Sequence, residues 1–256
     1  MPLLSNPAPR EPRPPRKARA AAPMPALAIV ENCVEAKLGD SRVTATPEGA
    51  LWIADAKTLV VSDLHLEKGS AFAVRGQMLP PYDTHATLMK LTDLMLRLQP
   101  EIIVSLGDSF HDGGGPARMD ARDRDLLKVL MSRCDWVWVE GNHDGRAPET
   151  LGGAVRDVLH VGSLVLRHEP TAGASPGEIA GHLHPCARVH GRGRSVRRRC
   201  FAFDGARLVM PAFGAFTGGL NIHDEAFASI FPDGAVALML GKDRVLPAPI
   251  ERQLAD

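Results

Sequence analysis

Alternation of apolar and polar positions predicts short strands in the first quarter of the chain. Turn residues separate the segments that carry this pattern, which are LAIVENCVEA (27–36), SRVTAT (41–46) and ALWIAD (50–55). A more continuous apolar run, TLVVSD (58–63), predicts a buried strand that ends at Asp63. The stretch after it contains Gly and Pro and indicates a loop that extends to Tyr82.

Helical spacing then alternates with buried strands. THATLMKLTDLMLRLQ (84–99) has apolar residues at the spacing of a helix, with Asp83 as the expected N-cap. Three further elements follow in order: a strand in EIIVSLGD (101–108), a helix in RDRDLLKVLMSR (122–133) and a strand with its exit loop in WVWVEGNHD (136–144). This order predicts an α/β fold in which parallel strands are joined by crossover helices.

The second half of the chain shows a different pattern, in which Gly turns separate short predicted β segments. Its segments are VLHVGSLVLRHEP (158–170), EIAGHLHP (178–185), RCFAFDGARLVMP (199–211) and GAVALML (234–240). We expect a second, mostly antiparallel sheet packed against the first. Neither an internal repeat nor a clear linker is visible, so the pattern favours a single domain over residues 26–256.

Residues 1–25 are dominated by Pro, Ala and Arg, and so dense a Pro content excludes a helix or a central strand. The composition predicts a disordered tail. Two other interpretations stay open: a basic arm that contacts nucleic acid, and residues upstream of a later true start.

Composition excludes several classes of protein. The 256 residues carry 30 Lys+Arg and 30 Asp+Glu, so the chain has no global basic field and nucleic-acid binding would need a local patch. The four cysteines form no CxxC pair, which favours reduced thiols in a cytoplasmic protein. No window approaches the roughly 20 consecutive apolar residues of a membrane span, so no membrane partner is expected.

Metal-ligand residue types follow the predicted strands of the first half. Asp63 and His65 follow one strand, Asp108 the next, and Asn142 and His143 the third. Ligands of an open α/β sheet collect beyond the carboxyl ends of its parallel strands, so these loops should converge. Because side chains alternate along an extended segment, Asp63 and His65 would lie on the same side of it. Gly107 and Gly141 would let the backbone come close to the site.

The second half adds His168 and the pair His182 and His184, which are two apart and so expected to face the same way. Each motif alone is weak, but their order after successive strands is improbable by chance. Mixed oxygen and nitrogen ligands suit two borderline divalent ions, for which we expect Mn²⁺, with Fe²⁺ or Zn²⁺ as alternatives. The set contains no Cys, which argues against structural zinc.

In these motifs the chain resembles the calcineurin-like metallophosphoesterases. The residues that carry the likeness are SDLHLEKG, LGDSFHD, EGNHD, RHEP and GHLHP, between Val61 and His184. DLHLEKGSAFAVRGQMLPPYDT and PAFGAFTGGLN extend a narrower likeness, to the bacterial ligase-associated DNA-damage-response (PdeM-type) nucleases, as far as Asn221. The resemblance implies a four-layer sandwich of two mixed β-sheets flanked by helices.

The resemblance also implies a division of roles among the residues. One ion would be held by Asp63, His65 and His184, and the other by Asn142, His168 and His182, with Asp108 as the bridge. A hydroxide between the ions would attack phosphorus, and His143 would be the general acid. His111 would reach the phosphoryl oxygen or hold His143. Asp144 would orient the His143 ring or cap local N–H groups, and these two roles stay open.

The narrower likeness implies that the substrate is DNA, single-stranded or damaged, and that the protein is a phosphodiesterase acting as an endonuclease of DNA repair. A basic run, GRGRSVRRR (191–199) with Arg192 to Arg199, supports this by offering contacts to a polyanion, and Lys68 and Arg75 are phosphate contacts or loop charges. The likeness implies repair ligase or helicase partners. A small-molecule phosphoesterase for nucleotides or sugar-nucleotides is the alternative, and a non-catalytic repair module is a third interpretation.

Overall fold

The computed structural model describes residues 25–144, 151–191 and 193–256. The predicted tail therefore lies outside the described residues except for Pro25, and so does Arg192 of the basic run. The four cysteines, Cys33, Cys134, Cys186 and Cys200, are all free thiols. Within the described ranges, no helix combines the length and apolarity that a membrane crossing needs.

The first sheet has eight strands that neighbour one another in chain order. They are β1 (Leu27–Val30), β2 (Cys33–Leu38), β3 (Ser41–Ala45), β4 (Leu51–Ile53), β5 (Thr58–Val61), β6 (Ile102–Leu106), β7 (Asp135–Val139) and β8 (Ala154–Arg156). Strands β1 to β5 pair antiparallel, and β5 to β8 pair parallel. The predicted parallel order of β5, β6 and β7 is confirmed.

Four α-helices occur in the described residues, and all of them end at or before Met131. They are α1 (Lys68–Val74), α2 (Asp83–Leu98), α3 (Gly115–Arg118) and α4 (Ala121–Met131), and single 3₁₀ turns lie at Ala54–Ala56, Glu225–Phe227 and Ile250–Arg252. Helices α2 and α4 bury Leu88, Leu91 and Leu127 with the outer face of the first sheet, in the same cluster as Ile103 and Trp138. This apolar stripe is the one that the helical spacing predicted.

Two local predictions in this region were wrong. The loop expected after β5 contains α1, a short helix whose Gly69 and Ala71 are buried. Asp83 is the first residue of α2, whose N-cap position is Tyr82, so Asp83 does not cap the helix. Its carboxylate instead accepts a 3.1 Å hydrogen bond from the backbone N–H of Gly69 and so ties α2 to α1. A hydrogen bond between two helices takes the place of the expected cap within one helix.

The second sheet has nine strands, again described in chain order. They are β9 (Val158–Val161), β10 (Leu164–Arg167), β11 (Glu178–Ala180), β12 (Cys186–Gly191), β13 (Arg194–Phe203), β14 (Arg207–Val209), β15 (Val236–Leu240), β16 (Val245–Ala248) and β17 (Gln253–Leu254). The path runs β16-β15-β13-β14-β11-β10-β9, and β12 joins β13 to β17. The pairs β10–β11 and β11–β14 are parallel and the others antiparallel, so the sheet is mixed.

The main hydrophobic core lies between the two sheets. Val60 and Leu106 of the first sheet share one buried cluster with Leu166, Phe201 and Leu238 of the second. Face-to-face packing of this kind brings the ends of strands from both sheets to the same rim of the sandwich. The expected architecture of two mixed sheets flanked by helices is confirmed.

Candidate metal centre

The candidate centre lies at the carboxyl ends of parallel strands in both sheets. Asp63 and Asp108 each come two residues after the end of β5 or β6, and Asn142 comes three after β7. In the second sheet His168 directly follows β10, and His182 follows β11 by two residues. The parallel register of both strand groups therefore aims loops far apart in sequence at one place.

Asp63, His65 and His184 form one group, in which one ligand atom from each residue lies within 4.8 Å of the others. The Nε2 atom of His184 is 3.2 Å from Oδ1 of Asp63 and 3.3 Å from Nε2 of His65. Asp63 is completely buried. Its carboxylate also accepts hydrogen bonds from the backbone N–H of His182 and the hydroxyl of Ser62.

Asp108, His168 and His182 form a second group of the same kind. Nδ1 of His182 lies 3.1 Å from Nε2 of His168, and Oδ1 of Asn142 lies 3.0 Å from that same His168 nitrogen. The other His168 nitrogen, Nδ1, is 3.2 Å from the carbonyl oxygen of Leu106. A proton on Nδ1 would donate to that carbonyl and leave the Nε2 lone pair facing the group.

Asp108 lies between the two groups. Its Oδ1 is 3.5 Å from Nε2 of His168, and its Oδ2 is 4.0 Å from Nε2 of His65. The backbone N–H of His143 donates to Oδ1 at 2.9 Å, which fixes the carboxylate on the loop after β7. One oxygen of Asp108 therefore faces each group.

The donor atoms present fit a pair of divalent cations. Two pairs of imidazole nitrogens, His65 with His184 and His168 with His182, face each other at 3.3 and 3.1 Å beside buried carboxylates. Facing lone pairs repel unless a proton or a cation lies between them, and nitrogen with carboxylate oxygen is the ligand mixture that borderline divalent metals prefer.

The backbone of the ligand loops differs from the expected extended form. Asp63, His65, Asp108, His182 and His184 all have left-handed φ values, between 43° and 69°. Side-chain alternation in an extended segment is therefore not what groups Asp63 with His65. His182 and His184 were expected to face the same way, but they enter different groups. The tight curvature of left-handed residues lets the loop after β11 deliver His182 and His184 to different groups.

Two glycines allow the loops to approach closely, as the sequence predicted. A Cβ atom on Gly107, whose φ is +73°, would lie 2.1 Å from Nδ1 of His168. A Cβ atom on Gly141 would lie 2.1 Å from the backbone nitrogen of Asp108. No side chain fits at either position, because the obstructing groups belong to the centre itself.

Burial and neighbouring side chains shift the pKa values of groups in the centre. Burial lowers the pKa of His65 to about 3 and also lowers the pKa of His182, in both cases with help from neighbouring imidazoles. Burial raises the pKa of Asp63, but the hydrogen bond and charge of His184 outweigh it, so this pKa lies below its ordinary value. Neutral imidazole and ionised carboxylate are the forms that bind a metal.

His143 and His111 lie at the open side of the centre. The side chain of His143 is 46% exposed, and its Nε2 is 4.0 Å from Oδ2 of Asp108. Its ring stacks on that of His111, with centroids 6.0 Å apart and an interplanar angle of 13°. Phe72 of α1 backs His111 at 5.5 Å. Burial lowers the pKa of His111, and the charges of Lys68 and His143 add to this effect.

Asp144 caps backbone groups, which is one of its two expected roles. Its buried carboxylate accepts from the backbone N–H groups of Phe110 at 2.9 Å and Gly141 at 3.1 Å. These bonds join the loops after β6 and β7. Burial raises the pKa of Asp144 to about 6, although the bond from Phe110 opposes that shift.

Two cations, Lys90 and Arg199, bind a later segment that contacts the centre, and the sequence did not predict this role for them. Lys90 on α2 donates to the carbonyl of Phe213, and Arg199 donates to those of Ala212 and Gly214. These bonds hold the PAFG residues 211–214 against the loop of Asp63. Arg199 was expected to belong to a polyanion-binding run, but its guanidinium is half-buried and serves this segment. The charges alone gave no signal for this.

Comparisons with known proteins agree with this geometry. The calcineurin-like phosphoesterase family matches residues 56–196. The crystal structure of Pseudomonas putida nuclease MPE is similar with a TM-score of 0.66 and 27% identity, over 85% of this chain and all of that one. No curated protein is significantly similar to the chain.

Two other solved structures are similar at lower scores. The AQ665 protein of unknown function from Aquifex aeolicus has a TM-score of 0.33 and 19% identity, over 44% of this chain and 60% of that one. The phosphoesterase Yfce from E. coli has a TM-score of 0.39 and 14% identity, over 77% of this chain and 98% of that one.

The family match covers more than half of the chain and spans both groups of the candidate centre, from before Asp63 to beyond His184. Its members depend on a dinuclear metal site, and this chain brings together two Asp/His groups. The chain belongs to the calcineurin-like phosphoesterase family and is a metal-dependent phosphoesterase.

Proposed function

We propose that this phosphoesterase is a DNA endonuclease that hydrolyses phosphodiester bonds with two metal ions and acts in DNA repair. The observation that carries the proposal is the placement of Asp108 between two Asp/His groups, one carboxylate oxygen facing each. The similarity to a nuclease over that protein's whole length supports a nucleic-acid substrate.

The residues that would hold the ions divide as the two groups do. Asp63, His65 and His184 would hold one ion, and His168, His182 and Asn142 the other, with Asp108 shared. When bound, two such ions acidify a water molecule and neutralise charge on the phosphoryl group. We propose Mn²⁺ as the native metal, and Fe²⁺ and Zn²⁺ are the alternatives to test.

His143 would give the proton to the departing alkoxide. Its backbone is tied to Asp108, while its imidazole stands at the exposed side of the centre, where a leaving group can reach it. Imidazole suits the task because its ordinary pKa is near neutrality. The stacked ring of His111 would hold the orientation of His143.

The hairpin of β12 and β13 supports a polyanionic substrate. It exposes Arg194, Arg197 and Arg198 directly after the segment that carries His182 and His184. Exposed cations attract a phosphate backbone and make binding fall with salt. Partnership with a repair ligase or helicase, and a cytoplasmic location, stay predictions from the sequence.

Circular single-stranded DNA tests the proposal, because a circle has no ends and only an endonuclease can cut it. We expect Mn²⁺-dependent linearisation by the wild-type protein and none by Asp108→Ala. The matched control is His160→Ala, an exposed histidine on β9, which should cleave normally.

Two results would contradict the proposal in different ways. Metal-dependent hydrolysis of mononucleotides or a small diester without cleavage of the circle would indicate a small-molecule phosphoesterase. Firm binding of repair proteins without any metal-dependent hydrolysis would indicate a non-catalytic module.

A further inference from the structure

We propose that Phe216 is a base-stacking residue that makes this centre selective for unpaired nucleotides. This inference rests on the proposed DNA cleavage and specifies its substrate as single-stranded. Phe216 lies in the loop of residues 214–219, which follows the PAFG segment and which we call the rim loop. Nothing in the metal groups uses this side chain.

The rim loop is clamped to the candidate centre at both ends. A Cβ atom on Gly214 would lie 2.0 Å from the carbonyl oxygen of Leu64, which is between Asp63 and His65. A Cβ atom on Gly219 would lie 2.1 Å from the carbonyl oxygen of His184. Both ends of the loop therefore lie against backbone that carries ligands of the same metal group, and the residues between them lie beside that group.

Phe216 presents its ring to solvent from this fixed loop. The residue is 52% exposed, and its φ of 55° is a left-handed conformation that bulky residues avoid. Glycine or asparagine would adopt that backbone at lower cost. A large aromatic side chain held exposed in an unfavourable conformation therefore has no folding advantage there, and strain of this kind concentrates at ligand-binding positions.

Cations flank the rim loop on both sides. Nζ of Lys68 donates to the carbonyl oxygen of Phe216 itself at 3.1 Å, and burial lowers the pKa of this lysine. Nη2 of Arg197 donates to the carbonyl oxygen of Gly219 at 2.7 Å, while its Nε pairs with Asp256. A nucleotide whose base stacks on Phe216 would bring its phosphates toward these two cations, which bind the backbone of the same loop.

Stacking on Phe216 requires a free base face. In a duplex both faces of each base are covered by neighbouring pairs, so the ring could contact a base only after unstacking. Single-stranded DNA offers the face without that cost, and stacking tolerates every base because each has a π surface. The rim loop therefore distinguishes single-stranded from double-stranded DNA, but it does not distinguish one base sequence from another.

The test compares two substrates of equal length and charge: an oligothymidylate, and the same backbone with abasic analogues in place of the nucleosides. The variants are Phe216→Ala, Phe216→Trp and Phe216→Gly, with Leu246→Ala on β16 as an exposed apolar control. We expect the wild-type protein to prefer the oligothymidylate. The Phe216→Ala substitution should raise the KM for the oligothymidylate about 10-fold. Neither kcat nor hydrolysis of the abasic strand should change.

The other variants separate stacking from folding. Phe216→Trp should keep or strengthen the preference for bases. Phe216→Gly should lose it while keeping or raising the thermal midpoint, since glycine accepts the left-handed backbone. Equal preference for the oligothymidylate in the wild-type protein and Phe216→Ala would overturn the stacking role alone. If the wild-type protein cut neither strand but hydrolysed a small diester, the proposed function would fail, and this inference with it.

Discussion

Five of the seven candidate metal ligands have a backbone conformation that costs roughly 1–2 kcal/mol per residue. Hydrogen bonds hold these residues in place. His65 donates its N–H to the carbonyl of Asp108, and His182 donates its N–H to the carboxylate of Asp63. Each ligand loop therefore depends on another ligand loop, and the strained conformations stand because several contacts fix them together.

His143 is the residue whose removal should affect chemistry most selectively. In His143→Ala the backbone N–H bond to Asp108 remains, so metal content should stay at the wild-type level. Turnover of a diester with a poor leaving group should fall roughly 10²–10⁴-fold, because general-acid assistance is lost. Turnover of a diester with an acidic phenol leaving group should fall much less. Wild-type kcat on the poor leaving group would remove His143 from the mechanism.

At the scale of elements, the PAFG segment joins the second sheet to the ligand loop after β5. Phe213 and Gly214 donate backbone N–H bonds to the carbonyls of Ser62 and Asp63 at 2.7 and 3.1 Å. From the other side, Lys90 and Arg199 bind the carbonyls of the same segment, and burial with the charge of Arg199 lowers the pKa of Lys90 to about 7. The segment thus positions the loop without carrying a metal ligand.

A methyl group at Gly214 tests this role. Gly214→Ala should displace the loop of Asp63, because the carbonyl of Leu64 is backbone and cannot rotate away. We expect at least a 10-fold loss of Mn²⁺-dependent hydrolysis and a destabilisation of about 1–3 kcal/mol. Gly218→Ala is the matched control, since a Cβ there meets nothing within 4 Å. Urea unfolding and a diester assay measure both effects, and equal behaviour of the two variants would contradict the role.

At the scale of the whole molecule, each candidate metal group draws ligands from both sheets. Asp63 and His65 follow β5 of the first sheet, while His184 follows β11 of the second. Asp108 follows β6, and its partners His168 and His182 follow β10 and β11. A bound ion would therefore cross-link the two layers of the sandwich.

Metal removal should lower the stability of the entire fold. Binding to the folded state alone adds about 2.7 kcal/mol at a ligand concentration near 100 times Kd, which corresponds to roughly 5–10 °C in Tm. Differential scanning calorimetry with EDTA and then with Mn²⁺ should show this fall and recovery. Asp108→Ala should show little response. An identical Tm with and without metal in the wild-type protein would argue against cross-linking of the layers.

Periodicity and motif order were enough to predict the parallel strands β5 to β7, helices α2 and α4, and the residues gathered at the strand ends. These features are local, because a buried strand or an amphipathic helix carries its pattern in its own residues. Helix α1 was missed because its seven residues lie among Gly and Pro signals. The prediction that Asp83 caps α2 was wrong because Asp is a common capping residue type, whereas in the fold its carboxylate accepts a hydrogen bond from Gly69.

By itself, the sequence determined which candidate metal-ligand side chains follow the strands and which strands bring them to one rim. The family resemblance divided His182 and His184 between two ions, whereas the residue pattern alone put them on one side. Only the tertiary structure decided which arginines of the basic run face solvent and where the rim loop holds Phe216. The position of Phe216 depends on a contact with Lys68, which lies 148 residues away in sequence, and the burial of Arg199 depends on its bonds to the PAFG segment. No local pattern encodes such contacts, because they form only when the two sheets pack.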